Sequence, residues 1–111
     1  MEYEDFSYEQ DIEYYSQEEL KLALSTNNEQ EIILALNYLY KNQKDNEHFI
    51  EQNLIILLQH SDLGIKQLVA NFANHFNRYG ILSSKGVEDI VSIIRNDIEI
   101  EYYADMYFRK N

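Results

Sequence analysis

The sequence has no cysteine, no proline, no tryptophan and only three glycines among its 111 residues. Without cysteine there is no disulfide scaffold, no Cys-ligated zinc site and no thiol nucleophile. Without proline the strongest interruption of a helix is missing. Gly64, Gly80 and Gly86 never form a glycine-rich run ahead of Lys-Ser or Lys-Thr, which excludes that type of phosphate loop. Long apolar runs are lacking too. None exceeds five residues, the length of Leu54 to Leu58, far short of the roughly 20 residues that span a bilayer. Positive charge is the last scarcity: 9 Lys and Arg face 20 Asp and Glu, for a net charge of -11. A pI near 4.5 argues against direct nucleic-acid binding, because phosphate contacts need Lys and Arg.

What is present suits a folded chain. Hydrophobic residues make up 45% of it, an ordinary share for a globular domain. A chain of this length makes one domain and buries roughly two-thirds of its unfolded surface. The first 15 residues are acidic and polar, unlike a secretory signal or a transit peptide. The expectation is a soluble cytoplasmic protein with no membrane segment.

The charge is concentrated. Residues 1 to 20 hold eight acids, Glu2, Glu4, Asp5, Glu9, Asp11, Glu13, Glu18 and Glu19, and no Lys or Arg. The remaining residues carry 12 acids and 9 bases, or -3. Aromatic rings interleave with the first acids: Tyr3, Phe6, Tyr8, Tyr14 and Tyr15. A solubilising tail has no need of such rings, whereas a surface meeting a basic, partly apolar partner does. The plainer alternative is a first segment whose rings pack on the body while its acids face water. We divide the chain into an acidic aromatic N-terminal arm, residues 1–15, and a helical-repeat domain, residues 16–111.

The body has helical period throughout. Ser16-Gln17-Glu18-Glu19 is a capping box opening a short helix to about Ser25, with Leu20 and Leu24 on one face. Asn28 caps a second helix carrying Ile32, Ile33, Leu36, Leu39 and Tyr40, which stops near Asn42. Asp45 or Asn46 opens a third, with Phe49, Ile50, Leu54, Leu57 and Leu58. Its C-terminal half is apolar nearly all round and is expected between neighbours. Asp62 caps a fourth with Ile65, Leu68, Val69, Phe72 and Phe76, ending at Gly80 in the left-handed position after a helix. Ser83 or Ser84 caps a fifth with Val87, Ile90, Val91 and Ile94. From Asp97 the alternation of Ile98-Glu99-Ile100-Glu101-Tyr102 admits a strand. Yet Ile100, Tyr103, Ala104, Tyr107 and Phe108 keep helical period, and a lone strand has no partner, so a helix from Asp97 is expected.

These helices form three pairs joined by short turns at Ser25 to Asn28, Gln59 to Asp62 and Arg95 to Asp97. Leu24 to Leu58 is 34 residues, Leu58 to Ile94 is 36, and Ile65 to Ile100 is 35. A helix pair recurring at that interval predicts an all-α fold, a short α-α superhelix of about three pairs. Residues Leu54 to Ala73 carry a family resemblance. A Leu-rich first helix, Asp62 at the turn, then Ile65 followed by Lys66, resemble the HEAT-repeat pattern. The last pair keeps Asp97 and Ile100 but has Glu101 at the basic position, and the first has Asn28 at the turn. Tetratricopeptide-like or irregular bundles stay open. The resemblance implies a right-handed superhelix whose second helices line a concave binding face.

Chemistry-bearing groups are sparse. His48 and Glu51 lie one turn apart, half of a metal site at most, and read as a surface pair. His60-Ser61-Asp62 is a string in a turn, not a triad, because triad roles come from geometry. His75 shares with Asn71, Asn74 and Arg78 the polar side of the fourth helix, where it is a contact residue or an ordinary exposed histidine. Carboxylate pairs such as Glu88-Asp89 start helices, where acids are favourable anyway. No metal, cofactor or catalytic residue is assigned, and the chain is read as not an enzyme.

The 10 tyrosines bear on function, since Tyr offers a large rigid contact with a polar tip. Tyr102 and Tyr103 cannot both face inward, so one is expected at the surface. A small, acidic, Tyr-rich helical chain is expected to bind a basic protein stoichiometrically, in a 1:1 complex with no nucleic acid and no membrane. It resembles the small helical, HEAT-like immunity proteins of contact-dependent growth inhibition and other polymorphic toxin systems. That resemblance implies an antitoxin-like protein that occludes the active site of a cognate toxin, most naturally a nuclease. The residues expected to touch the partner are Glu2, Tyr3, Glu4, Asp5, Tyr8, Glu9, Asp11 and Glu13 on the arm. Asn71, His75, Tyr102 and Asp105 on the second helices form a further patch. The alternatives are a helical-repeat interaction adaptor and a phage nucleic-acid mimic.

Overall fold

The computed structural model describes Glu13, Tyr14 and residues 16–108. Among these residues the chain forms six α-helices and no strand: α1 (Gln17–Leu24), α2 (Glu29–Lys41), α3 (Glu47–Leu57), α4 (Leu63–Arg78), α5 (Ser84–Arg95) and α6 (Tyr102–Tyr107). The all-α expectation holds. Residue contacts divide the chain into two compact units, Met1–Lys44 and Asp45–Asn111. The first contains α1 and α2, the second α3 to α6.

Four helices start where the sequence placed a cap. Ser16 Oγ accepts the Glu19 N–H at 3.2 Å and Asn28 Oδ1 that of Glu31 at 3.1 Å. Asp62 Oδ1 accepts from Ile65 N–H at 3.1 Å and Ser83 Oγ from Gly86 N–H at 2.9 Å. Each bond satisfies an amide that the first helical turn leaves without a carbonyl. α3 is different: Asn46 makes no side-chain cap bond, and Asp45 before it takes φ 67°, a left-handed conformation that Asp tolerates better than most residues.

In the first unit α1 packs on α2. Leu20, Leu24, Ile32, Ala35, Leu36 and Leu39 are buried, and the polar side chains of the capped first turns face water. In the second unit α3 meets α4 and α5, while α4 also meets α5 and α6, and α5 meets α6. First helix therefore lies on first helix and second on second. Ile50, Leu54, Leu58, Ile65, Val69, Phe76, Ile90, Ile94 and Ile100 are fully buried there. The apolar positions spaced by three and four in the sequence are the ones withdrawn from water, as an amphipathic helix requires.

The end of α4 shows how one residue type shapes a junction. Gly80 takes φ 73°, its N–H donates to Asn77 O at 3.1 Å, and the Ile81 N–H donates to Phe76 O at 3.0 Å. That pair of bonds is a Schellman ending, and it turns the chain so that Ile81 and Leu82 return to the core. Nothing lies within 4 Å of where a Gly80 Cβ would sit. Gly80→Ala therefore carries only the left-handed backbone penalty. It is expected to lower stability by about 1 kcal/mol in a denaturant titration. A neutral or stabilising result would show that the turn changes its conformation.

Two local expectations need correction. The last helix does not begin at Asp97. Asp97 Oδ1 accepts the Glu99 N–H at 3.0 Å, and Ile100, Tyr103 and Ala104 donate to carbonyls three residues back. The chain winds as turns through residue 101, and only then does α6 begin. Ile100, Ala104 and Phe108 still share the buried side, so the periodicity was sound while the start was not. Nor is the end of α3 enclosed all round: Ile56 is 64% exposed.

Candidate functional site

The arm falls largely outside the described residues: Glu2, Tyr3, Glu4, Asp5, Tyr8, Glu9 and Asp11 all do. Its last part is described. Glu13 is exposed, whereas Tyr14 is half-buried. The Tyr14 ring meets Tyr38 of α2 edge-on, with centroids 5.1 Å apart, and the Tyr38 hydroxyl donates to Tyr14 O at 3.3 Å. Burial raises the Tyr14 phenol's pKa, helped by the nearby charges of Glu31 and Glu19. Tyr14 is thus an attachment of the chain to α2, the plainer role for one ring of this segment.

The second patch is reshaped by the tertiary structure. Asn71, expected on the polar side of α4, is only 6% exposed. Its Nδ2 donates to Gln67 O at 3.1 Å, and its Oδ1 accepts a short hydrogen bond from the Tyr107 hydroxyl. A lone helical wheel cannot show this, because α6 is what covers that side of α4. His75 is half-buried. Burial lowers its pKa, and the adjacent Arg78 charge pushes the same way. Both effects favour the neutral ring at neutral pH.

Tyr102 and Asp105 do reach the surface. Tyr102 is 47% exposed. Its ring stacks on Tyr103 at 4.3 Å and 30°, and Tyr103 stacks on Tyr107 at 5.1 Å and 18°. Since Tyr107 is tied to Asn71, a continuous column runs from the core of the second unit to an exposed ring. The sequence argument held that one of Tyr102 and Tyr103 would be outside. What it missed is that the two would also stack on each other. The Asp105 carboxylate sits 3.3 Å from Arg95, an exposed pair that salt and hydration keep weak.

Residues not singled out by sequence join them. Ile98 is 84% exposed and Met106 59%, on either side of Tyr102 at intervals of four. A signal was available: Ile98, Tyr102 and Met106 are offset by two from the buried Ile100, Ala104 and Phe108. Glu99 and Glu101 are exposed beside them.

Beneath this surface lies an ion cluster. Lys66 of α4 is nearly buried, and its ammonium bonds Asp97 Oδ2 at 2.8 Å and Glu99 Oε1 at 2.5 Å. These bonds raise the Lys66 pKa, and Lys66 in turn holds the Asp97 carboxyl below the usual range. The cluster fixes the turn before α6 to α4. A second brace joins α3 to α5: the Ser83 N–H donates to Glu51 Oε2 at 2.6 Å, and Gly86 leaves room for that carboxylate. Glu51, paired with His48 in the sequence reading, acts instead at the start of α5, where negative charge is favourable.

Elsewhere, the Asp62 N–H donates to His60 Nδ1 at 2.9 Å, so that ring serves the turn before α4. Among the described residues no group of three or more His, Asp and Glu is placed to hold a metal ion. No described helix is long and apolar enough to cross a membrane. An open groove of about 670 Å³ is lined by Val87, Val91, Tyr107 and Phe108, with Glu88 and Arg95 as one charge of each sign. Its charges balance, so it does not select a partner by electrostatics. No family model, no curated protein and no solved structure matches this chain.

Proposed function

We propose that this chain is an immunity protein, antitoxin-like, that binds a basic protein toxin in the cytoplasm and neutralises it by occluding its active site. A nuclease is the natural target, because an enzyme that holds phosphate must present Lys and Arg. The observation that carries the reading is the pairing of a net charge of -11 with an exposed, ring-stacked tyrosine at the start of α6, near Glu101 and Asp105 in the chain. Opposite charge speeds encounter, and a preorganised aromatic supplies a contact that loses little entropy on binding. The arm acids Glu2, Glu4, Asp5, Glu9, Asp11 and Glu13 would draw the partner in, and the Tyr102 and Asp105 surface would hold it.

Within this reading the fold is a short HEAT-like superhelix. The packing of first on first and second on second helices in the second unit supports that. So does the Lys66–Asp97 bridge, which joins the turn residue of one pair to the basic position of the pair before it. Co-expression with the product of the reading frame adjacent to the gene for this chain tests the function. A 1:1 complex is expected whose affinity falls at least tenfold between low and high salt, because exposed charges are screened. No complex, or one indifferent to salt, would overturn the proposal.

A further inference from the structure

We infer that the outward face of α6 and the turn before it, formed by Ile98, Tyr102 and Met106, is the docking surface for a basic amphipathic helix of the partner protein. The inference rests on the reading of the chain as a binder of a basic protein, and it names the surface and the shape of what it binds.

The segment from residue 98 to residue 108 holds two sets of apolar side chains that differ in burial. Ile100, Ala104 and Phe108 are buried, while Ile98, Tyr102 and Met106 are exposed at 84%, 47% and 59%. One apolar face anchors a short helix to its domain. A second, turned outward, has no role in that packing. Its central ring is held by the column Tyr102–Tyr103–Tyr107 and by the bond from Tyr107 to Asn71. Tyr102 is therefore fixed before any partner arrives. Met106 beside it has the unbranched, adaptable side chain that fits varied apolar shapes.

Charge says what covers this face. Among the described residues Asp97, Glu99, Glu101 and Asp105 lie along this segment, and the cations that reach them are Lys66 and Arg95. Lys66 is nearly buried and bound by Asp97 and Glu99, and Arg95 pairs with Asp105. Four carboxylates share two cations, so the described part of the rim is net acidic by two charges. An apolar strip with an acidic rim recognises its inverse, an apolar stripe flanked by Lys and Arg. Nucleic acid and anionic membrane are repelled by the same carboxylates. A second copy of the chain would bring like charges face to face. Within α6, Tyr102 and Met106 stand one turn apart, about 6 Å at helical rise, which suits side chains at i and i+4 of a partner helix.

The test titrates the full-length, 15N-labelled chain with synthetic helices of about 14 residues, long enough to approach helix stability. One is an amphipathic Leu/Lys peptide, the second a scrambled peptide of the same composition, and the third an amphipathic Leu/Glu peptide. The Leu/Lys helix is expected to shift amides of residues 98–106 and to bind about tenfold more tightly than the scrambled peptide. The Leu/Glu helix is expected not to bind. The double variant Ile98→Lys, Met106→Lys changes only exposed side chains, and its helical circular dichroism is expected to match the parent. It should lose about tenfold in affinity for the Leu/Lys helix. Equal binding of the scrambled peptide, shifts confined to residues 2–13, or unchanged affinity of the double variant would each overturn the inference. The two readings fail separately. A toxin complex unaffected by the double variant removes this surface and leaves the immunity reading. Leu/Lys binding at residues 98–106 without any toxin complex removes the immunity reading and leaves the surface.

Discussion

Lys66→Ala is expected to destabilise the protein by about 2 kcal/mol, and the loss should be constant from about pH 5 to about pH 9. Removing one member of a buried pair commonly costs more, about 3–5 kcal/mol. Here the partners are partly open to water, with side-chain exposures of 22% for Asp97 and 50% for Glu99. Hydration of the abandoned carboxylates therefore offsets part of the loss. The pH dependence follows from the two shifts. The Asp97 pKa is depressed in the folded state, so its contribution is present above the unfolded carboxylate range and is lost as pH falls through the folded value. The Lys66 pKa is raised, so its contribution is present below the unfolded lysine range and is lost as pH rises through the folded value. Denaturant titrations of parent and variant across pH should converge at both extremes. Thermal melts at neutral pH should show a fall of about 10 °C. A difference that persisted below pH 2 would assign the effect to packing of the lysine stem instead. Glu99→Gln, at the half-exposed partner, should cost less than about 1 kcal/mol.

Removing residues 1–12 is expected to slow association with the basic partner at least tenfold at low salt, with the difference vanishing near 1 M salt. The truncation point comes from the structure. It deletes Glu2, Glu4, Asp5, Glu9 and Asp11 while leaving Tyr14 packed on Tyr38. Folding stability should therefore stay within about 0.5 kcal/mol of the parent. Stopped-flow association over a salt series measures the effect. An unchanged rate at low salt would mean that the arm does not steer the encounter, and attention would move to the acids around α6. A large loss of stability would mean instead that this segment belongs to the packing of the first unit. Extending the deletion through Tyr14 is the control, since it removes the ring contact and the Tyr38 bond together.

Much of the fold was legible because helices announce themselves locally. Ser16, Asn28, Asp62 and Ser83 cap as read, since a cap needs only its own side chain and an amide three residues on. Gly80 ends α4 in the left-handed conformation for the same local reason. The apolar period of α4 named Ile65, Leu68, Val69, Phe72 and Phe76, and all five are buried. Where the reading slipped, a residue distant in sequence had intervened. Asp97 does not open a helix directly; it holds Lys66, 31 residues earlier, and the Glu99 N–H two residues on, within a turn. Asn71 is not on an open face, because Tyr107, 36 residues later, lies against it.

The sequence by itself determined the six helical segments, the caps that start four of them, and the uneven distribution of acid. These depend on period, on backbone geometry and on composition, which are properties of short stretches. Only the tertiary structure decided which of those residues are available to a partner. Exposure is a property of what packs alongside. Helical period named Ile100, Ala104 and Phe108 as one apolar face, and they are buried; that Ile98, Tyr102 and Met106 stay in water depends on α4 and α5 covering the other side.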